Sequence, residues 1–192
     1  MTRRLLLLLV PAALLGAAGA ALPPRYALDG ASRFRIDGTS TVGRWSCAAD
    51  DGMAGGGEQA AHDVSARLTV RVAAFDCGVS RMTRDFRDAL RAGAHPEIAF
   101  VLERAAATAP EARPGAWVPV LAEGRLRLAG TERPVRVRAE GRREASGRVR
   151  VRGSHAMRMT DFGVRPPTGL GGAVRARDAI TVVFDLVAVE TR

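Results

Sequence analysis

From residue 24 onward the chain is written in period two. Leu68, Val70 and Val72 alternate with Arg67, Thr69 and Arg71, and Leu126 and Leu128 alternate with Arg125 and Arg127. The same holds for Val135 and Val137 against Arg136 and Arg138, and for Val149 and Val151 against Arg148, Arg150 and Arg152. Successive side chains of a β-strand point to opposite faces, so each segment has one dry face and one wet face. Similar patterns predict strands over 26–28, 32–36, 41–48, 98–104, 118–121 running toward Gly130, and 179–189. Most connections are short, which makes neighbouring strands antiparallel. Asp29-Gly30, Asp37-Gly38, Gly130 before Pro134, and Ser146-Gly147 supply the turn chemistry between them.

Two stretches depart from the alternation. Residues 80–92 place Phe86, Leu90 and Met82 on one side and Arg84, Arg87 and Arg91 largely on the other, the pattern of a short amphipathic helix ending near Gly93. Thr83 is the N-cap candidate. The Gly-rich segment 51–58 reads as a mobile loop, and 105–114, with Pro110 and Pro114, as a second one. No internal repeat or linker divides the chain, so one domain is expected. About eight strands with one dry face each either close into a barrel or pack as a sandwich, and closure at that number leaves room for one small ligand.

The N-terminus is different. Arg3-Arg4, the run from Leu5 to Val10 and the small residues Ala18-Gly19-Ala20 have the order of a signal peptide over 1–20, followed by a domain over 22–192. The apolar run is interrupted by Pro11, Gly16 and Gly19 and is short for a transmembrane span. A periplasmic or secreted mature protein without a membrane-spanning segment follows. Thr2-Arg3-Arg4-Leu5 leaves the general secretory and twin-arginine routes both open. With export comes an oxidising compartment, and the chain has only two cysteines, Cys47 and Cys77. A structural disulfide between them is expected.

Charge changes the picture less than its size suggests. The net charge is +9, yet the sequence has no Lys, and its 29 basic residues are spread as Arg along the chain. Nucleic-acid binding requires basic residues gathered on one face with stacking aromatics, whereas alternation with apolar neighbours describes the solvated face of a sheet. No nucleic-acid partner is expected. Gly38-Thr39-Ser40-Thr41-Val42 lacks the second Gly of a nucleophile elbow, and Asp161-Phe162-Gly163 stands without a phosphate-binding loop, so no enzyme is expected. His155, Met157 and Met159 share one face at spacing two and form a soft-metal alternative such as a Cu(I) site, against the commoner role of Met as core filler. No cofactor and no assigned metal site follow.

Four motifs in register carry a family resemblance. They are Phe34-Arg35-Ile36-Asp37-Gly38-Thr39-Ser40-Thr41-Val42 with Trp45, Met82-Thr83-Arg84-Asp85-Phe86 leading to His95-Pro96-Glu97-Ile98-Ala99-Phe100, Leu126 to Thr131 before Arg133-Pro134-Val135, and Met159-Thr160-Asp161-Phe162-Gly163-Val164. In order and spacing they resemble the YceI-like family over residues 26–189. The resemblance implies an all-β fold, an antiparallel eight-stranded lipocalin-like β-barrel with one short helix, in an exported protein. It also implies a role in holding a long-chain isoprenoid or other amphiphilic lipid in the lumen. The alternative within the family is a structural or envelope-stress module without a dedicated ligand. Trp45-Ser46-Cys47 and Asp76-Cys77 look like a subgroup in which the two cysteines face each other, and Gly43 stands where the family often has a polar residue such as His.

On this reading the dry faces put Val70, Val72, Phe100, Leu126, Leu128, Val137, Val151, Val182 and Phe184 around an elongated apolar cavity. Arg84, Phe86, Arg87 and Leu90 of the helix, with Phe162, are expected to flank its entrance, the arginines being available to a phosphorylated headgroup.

Overall fold

The computed structural model describes residues 24–60, 63–107, 113 and 115–191. The expected signal peptide and most of the expected loop over 105–114 lie outside the described residues. Eleven strands and one α-helix follow in order: β1 (Arg25–Leu28), β2 (Arg33–Ser40), β3 (Gly43–Ala49), β4 (Met53–Ala60), β5 (Asp63–Arg71), α1 (Ser80–Ala89), β6 (Glu97–Ala107), β7 (Val118–Leu128), β8 (Thr131–Arg143), β9 (Val149–Arg158), β10 (Thr168–Gly169) and β11 (Val174–Thr191).

These strands make fewer positions than their number suggests. β2 and β1 lie in succession along the one long strand β11, and β3 and β4 follow them in the same way as a second interrupted strand. With β5, β6, β7, β8 and β9, they form a closed antiparallel barrel of eight strand positions, sealed where β1 meets β11. This is the expected barrel. Closure removes the exposed edges that an open sheet would present. Among the described residues no helix is long and apolar enough to cross a membrane.

Three local expectations are corrected. The Gly-rich segment 51–58 is not a loop, since β4 begins at Met53. Its glycines mark close backbone approach: a Cβ on Gly55 would lie 2.4 Å from the Arg67 carbonyl oxygen, and one on Gly56 2.5 Å from that of Tyr26. Asp37-Gly38 is no turn either, because it sits inside β2, where the Trp45 ring covers Gly38 and a Cβ would meet it at 2.2 Å. Thr83 does not cap α1. Val79 occupies the cap position, and the buried Thr83 hydroxyl accepts the Cys77 N–H at 3.0 Å and donates to Asp76 at 3.2 Å. The β7–β8 turn is as expected, with Ala129 and Gly130 at φ of 48° and 83°, the mirror-image turn that matches strand twist.

One end of the barrel is packed solid. Phe75 is wholly buried there, edge-on to Phe34 with ring centres 5.9 Å apart and tilted against Phe86 at 5.1 Å. Val70, Val72, Leu90, Leu128, Met159 and Phe162 complete this core. The Cys47–Cys77 disulfide ties β3 to the chain entering α1, beside a reciprocal backbone pair between Ala48 and Asp76 at 2.8 Å each. Joining residues 30 apart removes about 3.6 kcal/mol of unfolded-chain entropy on the loop-closure model.

Candidate functional site: the barrel interior and its openings

Strand register identifies the inward face. Leu68, Phe100 and Leu126 stand side by side across β5, β6 and β7, while Val182, Phe184, Leu186 and Ala188 of β11 face His155, Gly153, Val151 and Val149 of β9. Gly124 and Ala122 face Val135 and Val137, and Ala139 faces Gly153. Small residues thus occupy much of the inner wall. Phe100, Leu102, Leu126, Val137, Val151, Val182 and Phe184 are only partly buried although they point inward, so the barrel is unfilled above its packed end. Eight strands enclose a space that side chains just fill when they are large; here Gly124, Ala122, Ala139 and Gly153 leave part of it open.

The nine residues expected around a cavity fall into three levels. Val70, Val72 and Leu128 are 1%, 1% and 5% exposed and form the floor. Leu126, Val182 and Phe184 pack against that floor from above, and Phe100, Val137 and Val151 stand clear of it. The five residues expected at an entrance gather instead over the packed end. Leu90 and Phe162 are buried in the core, Phe86 rests on Phe75, and Arg87 donates to the carbonyls of Ala73 at 2.5 Å and Phe75 at 2.9 Å. Arg84 is exposed. The helix seals this end because its apolar side meets Phe75 while Arg87 satisfies carbonyls that the short turn at 72–74 leaves over.

The opposite rim is polar. Arg143 shares the inward face with Gly141 and Ala139, lies over the Tyr26 ring at 5.5 Å and donates to Gln59 at 3.1 Å. A shallow cavity of about 560 Å³ opens beside it, with Tyr26, Gly57, Ala66 and Leu102 on its inner side.

Sequence reasoning missed a third feature. β8 and β9 pair only from Ala139 to Arg143 against Val149 to Gly153, although β8 begins at Thr131 and β9 continues to Arg158. The wall parts below Gly153. A cavity of about 290 Å³ occupies the parting, lined by Arg133, Val135, His155, Met157, Asp161 and Phe162 among others. His155 and Met157 therefore meet at this cavity, while Met159 lies buried in the core. Partial burial holds the His155 imidazole below its ordinary pKa, which keeps it neutral near pH 7. Pro134 was the available signal, since Pro favours strand edges.

On the outside the arginines behave as a solvated face. Arg150 grips Asp185 through two hydrogen bonds, which hold that carboxyl below the usual range. Arg142 and Arg152 approach the Trp117 ring at 4.6 and 3.9 Å. Neither arrangement gathers the basic residues into a stacking platform.

Comparison with known proteins agrees with this geometry. The model of the YceI-like domain matches residues 32–188. No curated protein sequence matches the chain. Among solved structures, BcnA of Burkholderia cenocepacia superposes with a TM-score of 0.68 at 20% identity, covering 84% of this chain and 99% of its own. A polyisoprenoid binding domain from Saccharophagus degradans implicated in plant cell wall breakdown gives 0.68 at 15% identity, covering 89% and 100%. The Campylobacter jejuni YCEI protein gives 0.52 at 14%, covering 68% and 75%. At these identities the likeness is one of fold.

Proposed function

Because the chain belongs to the YceI-like family, we propose that it is an exported, non-enzymatic binding protein that holds a polyisoprenoid or similar long-chain amphiphile in its barrel. The carrying observation is the unfilled upper interior, where inward apolar side chains remain partly exposed above a sealed floor. Phe100, Leu126, Val137, Val151, Val182 and Phe184 form the wall of the proposed site, and Val70, Val72 and Leu128 its base. The polyisoprenoid-binding neighbour supports this ligand class, and the disulfide supports an oxidising compartment reached after removal of 1–20.

Physical chemistry is sufficient without a reacting group. Burying about ten methylenes from water contributes roughly 8 kcal/mol, near micromolar affinity before any headgroup contact. A bilayer is already apolar, so preference for one lipid over another comes from the shape of the lumen and from polar groups at its openings. Native mass spectrometry of protein purified from its own cell envelope, followed by lipid extraction, tests the reading. A co-purifying amphiphile at near-stoichiometric level is expected. An empty barrel that also takes up neither a polyprenol nor a polyprenyl phosphate in solution would refute it.

A further inference from the structure

A closed barrel satisfies each strand's backbone on both sides, and between the lower parts of β8 and β9 this one does not. Residues 131–138 of β8 pair with β7 alone, and residues 154–158 of β9 pair with β11 alone. The edges that face each other are unpaired over about 16 Å, taking roughly 3.3 Å per residue. The seam is lined from inside by Val135, Met157 and Phe162, and it opens onto the 290 Å³ cavity.

Arg133 stands in this opening. Its register partner is Leu126, which places it on the same inward face as Val135 and Val137, unlike Arg136, which faces outward and pairs with Glu123 at 2.8 Å. Its Nε donates to the backbone carbonyl of Asp161 at 2.8 Å, so the short turn over 159–162 is strapped to β8 at the lower end of the seam. Among the described residues its two Nη groups meet no acceptor. An inward-facing, tethered guanidinium at an opening that Val135, Met157 and Phe162 also line is the complement of an amphiphile with an anionic polar end. Asp161 also lines the cavity.

Building on the lipid-binding reading, we propose that the β8–β9 seam is the lateral portal of the barrel and that Arg133 holds the headgroup of a phosphate monoester lipid in it. The alkyl chain then lies against Val135 and Met157 and continues into the lumen past Phe184, whose ring sits over Gly153 at the top of the seam. Arg143 at the far rim, already engaged by Tyr26 and Gln59, is left as a structural tie.

The test measures binding of a polyprenyl phosphate, the matching polyprenol and inorganic phosphate to the full mature protein and its variants. Arg133→Gln is expected to weaken the polyprenyl phosphate about tenfold or more, the scale of one charge-assisted hydrogen-bond pair, and to change the polyprenol less than about twofold. Arg133→Lys, which keeps the charge and loses the fork, should recover part of that loss. Val135→Trp narrows the seam and should slow both association and dissociation of the polyprenol, while Ala66→Trp at the opposite rim should leave both rates unchanged. Equal loss of both lipids in Arg133→Gln, or slowing by Ala66→Trp with none by Val135→Trp, overturns the portal and leaves lumen binding standing. Tight binding of inorganic phosphate that displaces no lipid assigns Arg133 to a free anion and overturns the headgroup role. Failure of the wild-type protein to bind either lipid overturns this proposal together with the reading beneath it.

Discussion

Phe75→Ala separates the part of the molecule that holds the fold from the part proposed to hold a ligand. Phe75 is 0% exposed and meets Phe34 of β2 and Phe86 of α1, so the ring joins strand, helix and disulfide-bound segment at one point. Truncating a buried Phe costs about 3–5 kcal/mol, and here the neighbours cannot collapse freely. Cys77, two residues on, is covalently fixed to Cys47, and Arg87 pins the Phe75 carbonyl. We therefore expect at least the middle of that range, about 4 kcal/mol. With a urea m-value of about 2 kcal/mol per molar, the unfolding midpoint should fall by about 2 M at unchanged m. Trp45 and Trp117 allow the transition to be followed by fluorescence in the oxidised protein. Below the transition, uptake of a polyprenol should stay within about twofold of wild type, because the floor is disturbed at its underside and the wall is not. A midpoint shift under about 0.5 M would refute the assignment of this end as the main core. A large loss of lipid affinity in protein that is still folded would refute the separation of the two regions.

Cys47→Ser combined with Cys77→Ser should lower unfolding stability by about 3–4 kcal/mol without abolishing lipid uptake, and intact-mass analysis of the unreduced wild type should show no free thiol. His155 should titrate by NMR with a midpoint below the ordinary value of about 6.5. Since the unfolded chain then takes up a proton before the folded one, its contribution is present above pH 6.5 and is lost as pH falls through the lowered folded value; His155→Gln should flatten that slope. Asp185 and Asp178, both held low by hydrogen bonds from Arg150 and Thr160 respectively, act in a more acidic window. Their contribution is present above the ordinary Asp value of 3.8 and is lost below it, which an acid unfolding series on Asp185→Asn should show as a weaker acid dependence.

How much of this was legible beforehand follows from the range over which each signal acts. Alternation along β5, β7, β8 and β9 is a local property of the chain, because each residue's face depends only on its parity, and the inward positions read from it are inward in the structure. The pairing of Cys47 with Cys77 needed no geometry, since only one pair exists. Capping was less transparent. Thr83 has the chemistry of an N-cap, but its hydroxyl is used inside the first turn because Asp76 and Cys77 reach it there.

Other features depended on what came to lie opposite. Glycines at 55–57 signal a loop when read singly, and become strand only once β1 and β5 press close on either side. Phe86, Leu90 and Phe162 belong to or pack against one core cluster, and whether a helix over a barrel seals or admits depends on Phe75 filling the space beneath it. The seam is the clearest case. Nothing in the alternation of 131–138 or 154–158 differs from that of the paired strands, because a residue's own sequence specifies which way its side chain points and not whether a neighbouring backbone is within hydrogen-bonding reach. That distance is set by the barrel as a whole, and with it the parting of the wall between β8 and β9.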